Sequence, residues 1–141
     1  MKRISAKEAK ALLDAGWTYL DVRSEPEFES GHPAGALNIP LLHLGASGMG
    51  PNPDFVKVVE ATVPKNAKLV IGCQSGGRSM RAAQLLERAG YREVVDQRAG
   101  FGGARDMSGQ VVEPGWADEG LPVETGLPEG RRYVDLAKKA G

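Results

Sequence analysis

A single cysteine stands in the 141 residues, and its neighbours say as much as the residue itself. Cys73 opens the stretch "CQSGGRS" (73–79), between the apolar run "KLVIG" and the helix-like "MRAAQLLERAG". A thiolate is the reactive form of cysteine. A helix N-terminus and converging backbone N–H groups lower a thiol pKa from ~8.5 to roughly 3.5–7.5. Gly76 and Gly77 let the backbone turn tightly and aim its N–H groups inward as an anion cradle, and Arg78 adds a permanent positive charge. A nucleophile set in such a loop suits an anionic substrate. The plain alternative is a buried structural cysteine, since cysteine is among the most buried residue types. The glycines, the arginine and the position at a strand end weigh against it.

Two other chemistries come close. From Gly72 the stretch is G-x-x-x-x-G-R-S, a nucleotide-binding P-loop with arginine in the lysine position. Arginine is a poor substitute for a compact ammonium among phosphates, and a P-loop usually opens its domain. Cysteine phosphatases separate Cys and Arg by five residues, whereas four separate Cys73 from Arg78. The cradle is one residue too small for that pattern.

The elements that position this loop follow from periodicity. "SAKEAKALLDAG" begins with Ser5 and Glu8 at capping-box spacing and stops at Gly16, which predicts a helix. "TYLDV" (18–22), "GALNIP" (35–40), "KLVIG" (68–72) and "EVVDQ" (93–97) are expected strands. Ser24 and Glu27 repeat the capping-box spacing before a short helix, and "NPDFVKVVEATV" predicts another helix opened by Asn52 and Pro53. "LLHLGASGMG" is expected to be a loop or a broken turn of helix, and no dinucleotide fingerprint is present in it. "EGRRYVDLAKKAG" predicts a C-terminal amphipathic helix. Strands alternating with helices predict an α/β domain with a mainly parallel sheet, whose ligands gather at the carboxyl ends of the strands. Cys73 falls there.

Composition narrows the function classes. Lys+Arg and Asp+Glu both number 18, so no basic surplus points to nucleic acid or an anionic membrane. No apolar run approaches the ~20 residues of a membrane span, and one cysteine suits a reducing compartment, so the expected setting is cytoplasmic. His32 and His43 with one cysteine fall short of the four ligands of a structural zinc site, so no metal is expected. His32 is expected to make a structural hydrogen bond, and His43 to be solvated.

Beyond the cysteine loop, "YLDVRSEPEFESGHPAGALNIP" and "AGFGGARD" followed by "PGWADEGLPVET" complete a set of three motifs in order. Over roughly residues 3 to 125 the chain resembles the rhodanese family of sulfurtransferases. The resemblance implies a five-stranded, mainly parallel sheet flanked by helices on both faces, in a domain over 1–125. A helical extension over 126–141 would pack on that domain or trail from it. It implies that Cys73 takes the outer sulfur of a donor such as thiosulfate and holds it as a persulfide. N–H groups of residues 74 to 78 would stabilise that persulfide, and Gln74, Ser75, Gly76, Gly77, Arg78 and Ser79 would form the substrate loop. Cyanide or a thiol then removes the sulfur, and a protein acceptor is a further candidate partner. No cofactor is implied. Asp21 and Arg23 are expected to support the loop, Asp21 through Arg78 or loop N–H groups and Arg23 in a second ion pair. Arg78 either binds the donor's anionic end or tethers the loop, and the tether is favoured because backbone N–H groups already cradle the donor. A persulfide carrier or sulfur sensor with little turnover is the alternative function, and a phosphatase or arsenate reductase on the same fold is a weaker one.

Overall fold

The computed structural model describes all of residues 1–141. The chain opens on strand β1 (Lys2–Ile4), then helix α1 (Ala6–Asp14), β2 (Thr18–Asp21) and α2 (Glu25–Ser30). Two two-residue strands follow, β3 (His32–Pro33) and β4 (Leu37–Asn38), then the pair β5 (Leu42–Gly45) and β6 (Gly48–Pro51). Next come α3 (Phe55–Thr62), β7 (Lys68–Gly72), α4 (Gly77–Arg88) and β8 (Glu93–Gln97). The last stretch holds β9 (Ala104–Arg105), β10 (Val111–Glu113), β11 (Val123–Glu124) and α5 (Tyr133–Ala140).

A strand with no polar face must be covered on both sides, and β7 is the middle of a five-stranded sheet ordered β1-β8-β7-β2-β4. Every pairing in that sheet is parallel. Side chains alternate across it. Leu69 and Ile71 of β7 join Leu20, Phe55, Val59, Leu86 and Leu136 on one face, the side of α3, α4 and α5. Val70 joins Ala9, Tyr19, Phe28 and Trp116 on the other, the side of α1 and α2. This is the α/β rhodanese architecture that the resemblance implies.

Four local features differ from expectation. β1 pairs with β8 at the sheet edge, although its three residues before the Ser5 cap are too few to show a period. β5 and β6 form an antiparallel hairpin in place of the expected loop or broken helix. Their glycine-rich, half-exposed sequence hides an alternation that only two leucines carry. Helix α3 starts at Phe55 rather than Asn52. Asn52 instead accepts the Asp54 N–H at 3.0 Å and donates to the Pro40 carbonyl at 2.9 Å, which spends its side chain on a turn. His43 lies on β5, half-buried, its ring 5.3 Å from that of Tyr133, rather than free in solvent.

Both expected capping boxes are closed, Ser5 with Glu8 and Ser24 with Glu27. α5 packs on α3 and buries Leu136 to 1% exposure, so the C-terminal segment contributes to the core. No helix is long and apolar enough to cross a membrane.

Candidate active site

Cys73 leaves the carboxyl end of β7 and is 2% exposed. Three residues later Gly76 caps α4 with φ of 109°, and its N–H donates to the Cys73 Sγ at 3.1 Å. An alanine Cβ at residue 76 would lie 2.2 Å from the Arg98 carbonyl oxygen, so only glycine lets the loop turn this close to the β8 exit. Gly77 differs. It is already helical and exposed, and a Cβ there would meet nothing within 4 Å. The tight turn expected of both glycines belongs to Gly76 alone.

The loop's carbonyls are tied outward. Phe101 N–H donates to the Cys73 carbonyl at 2.7 Å, and Gly102 N–H to the Gln74 carbonyl at 2.9 Å. The Gly76 carbonyl accepts from Met80 N–H and from the Ser79 hydroxyl, at 3.3 and 3.2 Å. By contrast, the N–H groups of Gln74, Ser75, Gly77 and Arg78 meet no acceptor in the protein. Four open donors therefore accompany the sulfur at a helix N-terminus, where the macrodipole favours negative charge. Ser79, fully buried, places its Oγ 3.4 Å from Sγ.

Ion pairs hold this loop, though not in the expected pairing. Arg78 does not reach for Asp21. It makes a two-pronged bond to Glu27 of α2, at 2.7 and 2.9 Å. Glu27 also accepts from the Ser24 N–H and hydroxyl, so one carboxylate caps α2 and anchors the loop. Burial opposes its charge, but the Arg78 and Ser24 hydrogen bonds outweigh that and hold its pKa at about 2. Asp21, 1% exposed, is spent on its neighbour Arg23, accepting from the backbone N–H at 3.0 Å and from the guanidinium at 2.7 Å. So oriented, Arg23 donates to the Gln74 Oε1 at 3.1 Å and the Gly31 carbonyl at 2.6 Å, and lies over the Phe101 ring. Asp21 touches the loop only through Arg23.

Glu27 and the "AGFGG" segment carry more of the site than their sequence suggests. Glu27 shows in the sequence only as a capping residue. The glycines of 100–103 look like any turn, yet a Cβ at Gly100 would lie 2.5 Å from the Cys73 carbonyl oxygen. Asp96, at the end of β8, is also buried beneath the loop, and burial raises its pKa against the pull of Ser79 and Arg3. His32 stands apart, its Nδ1–H donating to the Phe28 carbonyl at 2.6 Å and its ring stacked on Phe28.

The Glu27–Arg78 pair gives a prediction. For the sulfur transfer that the resemblance implies, Glu27→Gln and Arg78→Ala should each lower kcat/KM by about ten- to a hundredfold, and the double variant should be no worse than the poorer single, because they act as one unit. A thiosulfate defect much larger in Arg78→Ala than in Glu27→Gln would show that Arg78 contacts the donor instead. Stability carries the same signature. The depressed carboxyl contributes stability that is complete above pH ~4.5 and lost as pH falls towards ~2, and Glu27→Gln should remove that contribution in urea titrations.

A family model described as "Rhodanese-like domain" matches residues 5–104. The chain belongs to the rhodanese-like family. It is 40% identical over 121 residues to "Thiosulfate sulfurtransferase 16, chloroplastic" of Arabidopsis thaliana, a match covering 86% of this chain and 91% of that one. Against "Thiosulfate sulfurtransferase 18" of the same plant it is 33% identical, covering 86% of this chain and 82% of the relative. Among solved structures it resembles Rv0390 from M. tuberculosis with a TM-score of 0.75 and 25% identity, over 89% of this chain and 98% of the other. Both of these plant relatives are named as thiosulfate sulfurtransferases.

Proposed function

We propose that the protein transfers sulfane sulfur through a Cys73 persulfide. The observation that carries this reading is the set of open N–H groups at Gln74, Ser75, Gly77 and Arg78, beside a buried sulfur that already accepts from Gly76. The Cys73 thiolate attacks the outer sulfur of thiosulfate. A new S–S bond forms, the donor's S–S bond breaks, and sulfite leaves with the electron pair. The persulfide's charge falls among donors fixed in place before the reaction, which need no reorganisation to receive it. Cyanide or a thiolate then attacks the outer sulfur, and Cys73 returns as thiolate, a ping-pong cycle. Asp21, Arg23, Glu27 and Arg78 are positioning residues in this scheme. Their charges are paired with one another, so the donor's anionic end is left to the loop amides.

Sulfur transfer and phosphate hydrolysis separate the competing readings. Thiosulfate with cyanide should yield thiocyanate over many turnovers, while an aryl phosphate should stay intact under the same conditions. A single stoichiometric transfer followed by a stall would instead mark a carrier. Clear phosphate release would overturn the argument from loop size.

A further inference from the structure

Two cavities lie near the loop, one against Gln74 and the other against α4 a turn beyond Gly77, and they differ in chemistry. One, of about 350 Å³, is lined by Arg23, Glu27, Gln74 and Phe101, and both its charged groups already have partners. The other, of about 300 Å³, lies between the hairpin, α3 and α4. Leu41, Leu42, Phe55, Val56 and Leu85 make it apolar, and Arg81 stands in its lining. Arg81 is exposed and has no acidic partner, unlike Arg3, Arg23, Arg78 and Arg98 around the same loop. An unpaired guanidinium beside apolar walls fits a ligand with a carbon body and an anionic end.

The second cavity is lined on one side by Arg81 and Leu85, which follow the loop along α4. Gly77, Arg81 and Leu85 recur at four-residue spacing, so they lie along one side of α4. The space beside Gly77, at the top of that line, is open. From Gly77 to Arg81 the helix rises ~6 Å, a span that a saturated chain of about six carbons bridges. The opposite wall is set in place before any ligand arrives. Asn52 N–H donates to the Leu41 carbonyl at 3.0 Å, and the Asn52 side chain donates to the Pro40 carbonyl and to the Tyr133 hydroxyl at 2.9 and 3.2 Å.

We propose that this cavity holds the body of a thiol acceptor ending in a carboxylate, with Arg81 taking the carboxylate and Leu42, Val56 and Leu85 its methylenes. The proposal rests on the sulfur-transfer reading above and assigns the acceptor's class. The bound thiolate attacks the outer persulfide sulfur, an S–S bond forms to the acceptor, and the S–S bond to Cys73 breaks. The acceptor leaves as a persulfide and Cys73 keeps the electron pair as thiolate. Thiosulfate, which has no carbon body, makes no use of this cavity.

The test compares 6-mercaptohexanoate with 6-mercaptohexanol as acceptors of sulfur from thiosulfate. Wild type should favour the carboxylate by about tenfold in kcat/KM, a difference of ~1.4 kcal/mol, and Arg81→Ala should bring the ratio to near one. The ratio is internal to each variant, so a general loss of activity does not imitate it. Equal use of both thiols by wild type, or a ratio kept by Arg81→Ala, would overturn the proposal. A second measurement needs no turnover. Methyl NMR signals of Leu42, Val56 and Leu85 in the Cys73→Ser protein should shift on titration with 6-mercaptohexanoate, and Arg81→Ala should weaken that binding about tenfold. Methyls that do not respond, or that shift with protein concentration alone and so mark contact with a second copy, would contradict it. Sulfur transfer absent with every acceptor would sink the function while the methyl titration still decides the cavity.

Discussion

Replacing Cys73 with serine should abolish the proposed sulfur transfer, by at least about a thousandfold, and leave the fold in place. A serine hydroxyl is not ionised near neutral pH and forms no persulfide, and the chain holds no second cysteine to take over. The structural change is small, because serine differs by one atom and can still accept the Gly76 N–H that now meets Sγ at 3.1 Å. Thiocyanate formation and a thermal melt on the same preparation check both halves. A variant that keeps a tenth of wild-type turnover would mean that sulfur moves by another route.

The two adjacent glycines should respond in opposite ways. Gly76→Ala forces a side chain onto φ of 109° and against the Arg98 carbonyl, 2.2 Å from the new Cβ. Backbone strain of that kind amounts to about 1–3 kcal/mol. Relief requires the loop to shift, which takes the Gly76 N–H away from the sulfur, so turnover should fall by about a hundredfold or more. Gly77→Ala meets open space and a helical backbone, where alanine is favoured over glycine by up to about 1 kcal/mol. Its stability should hold or rise slightly, and its turnover should stay within a few-fold of wild type. Urea midpoints and thiocyanate rates for the pair check this. Equal damage from both would show that loop flexibility, rather than the geometry of residue 76, controls the site.

Periodicity and capping spacings carry information about single elements, and so β2, β7, β8 and the four long helices are visible in the chain. Partner choice between elements is not local. Asp21 and Arg23 are two residues apart and satisfy each other, which frees Arg78 to meet Glu27 across 51 positions. Nothing in "SEPEFESG" shows that its capping glutamate also faces a loop from another part of the sheet. Two glycines in a row look alike until the Arg98 carbonyl is placed behind one of them. The β5–β6 hairpin is hidden for a related reason, since of its two leucines only Leu42 walls the cavity while Leu44 is exposed.

The mass of the intact protein after exposure to thiosulfate tests the persulfide most directly. With Cys73 as the sole cysteine, no internal thiol can resolve a loaded sulfur into a disulfide. Incubation without acceptor should add one sulfur atom per chain, and cyanide should then restore the original mass and release thiocyanate in equal amount. The buried sulfur and the open loop amides should keep the charged adduct intact for the minutes required. An unchanged mass, or a disulfide-linked dimer as the dominant product, would contradict sulfur transfer through Cys73.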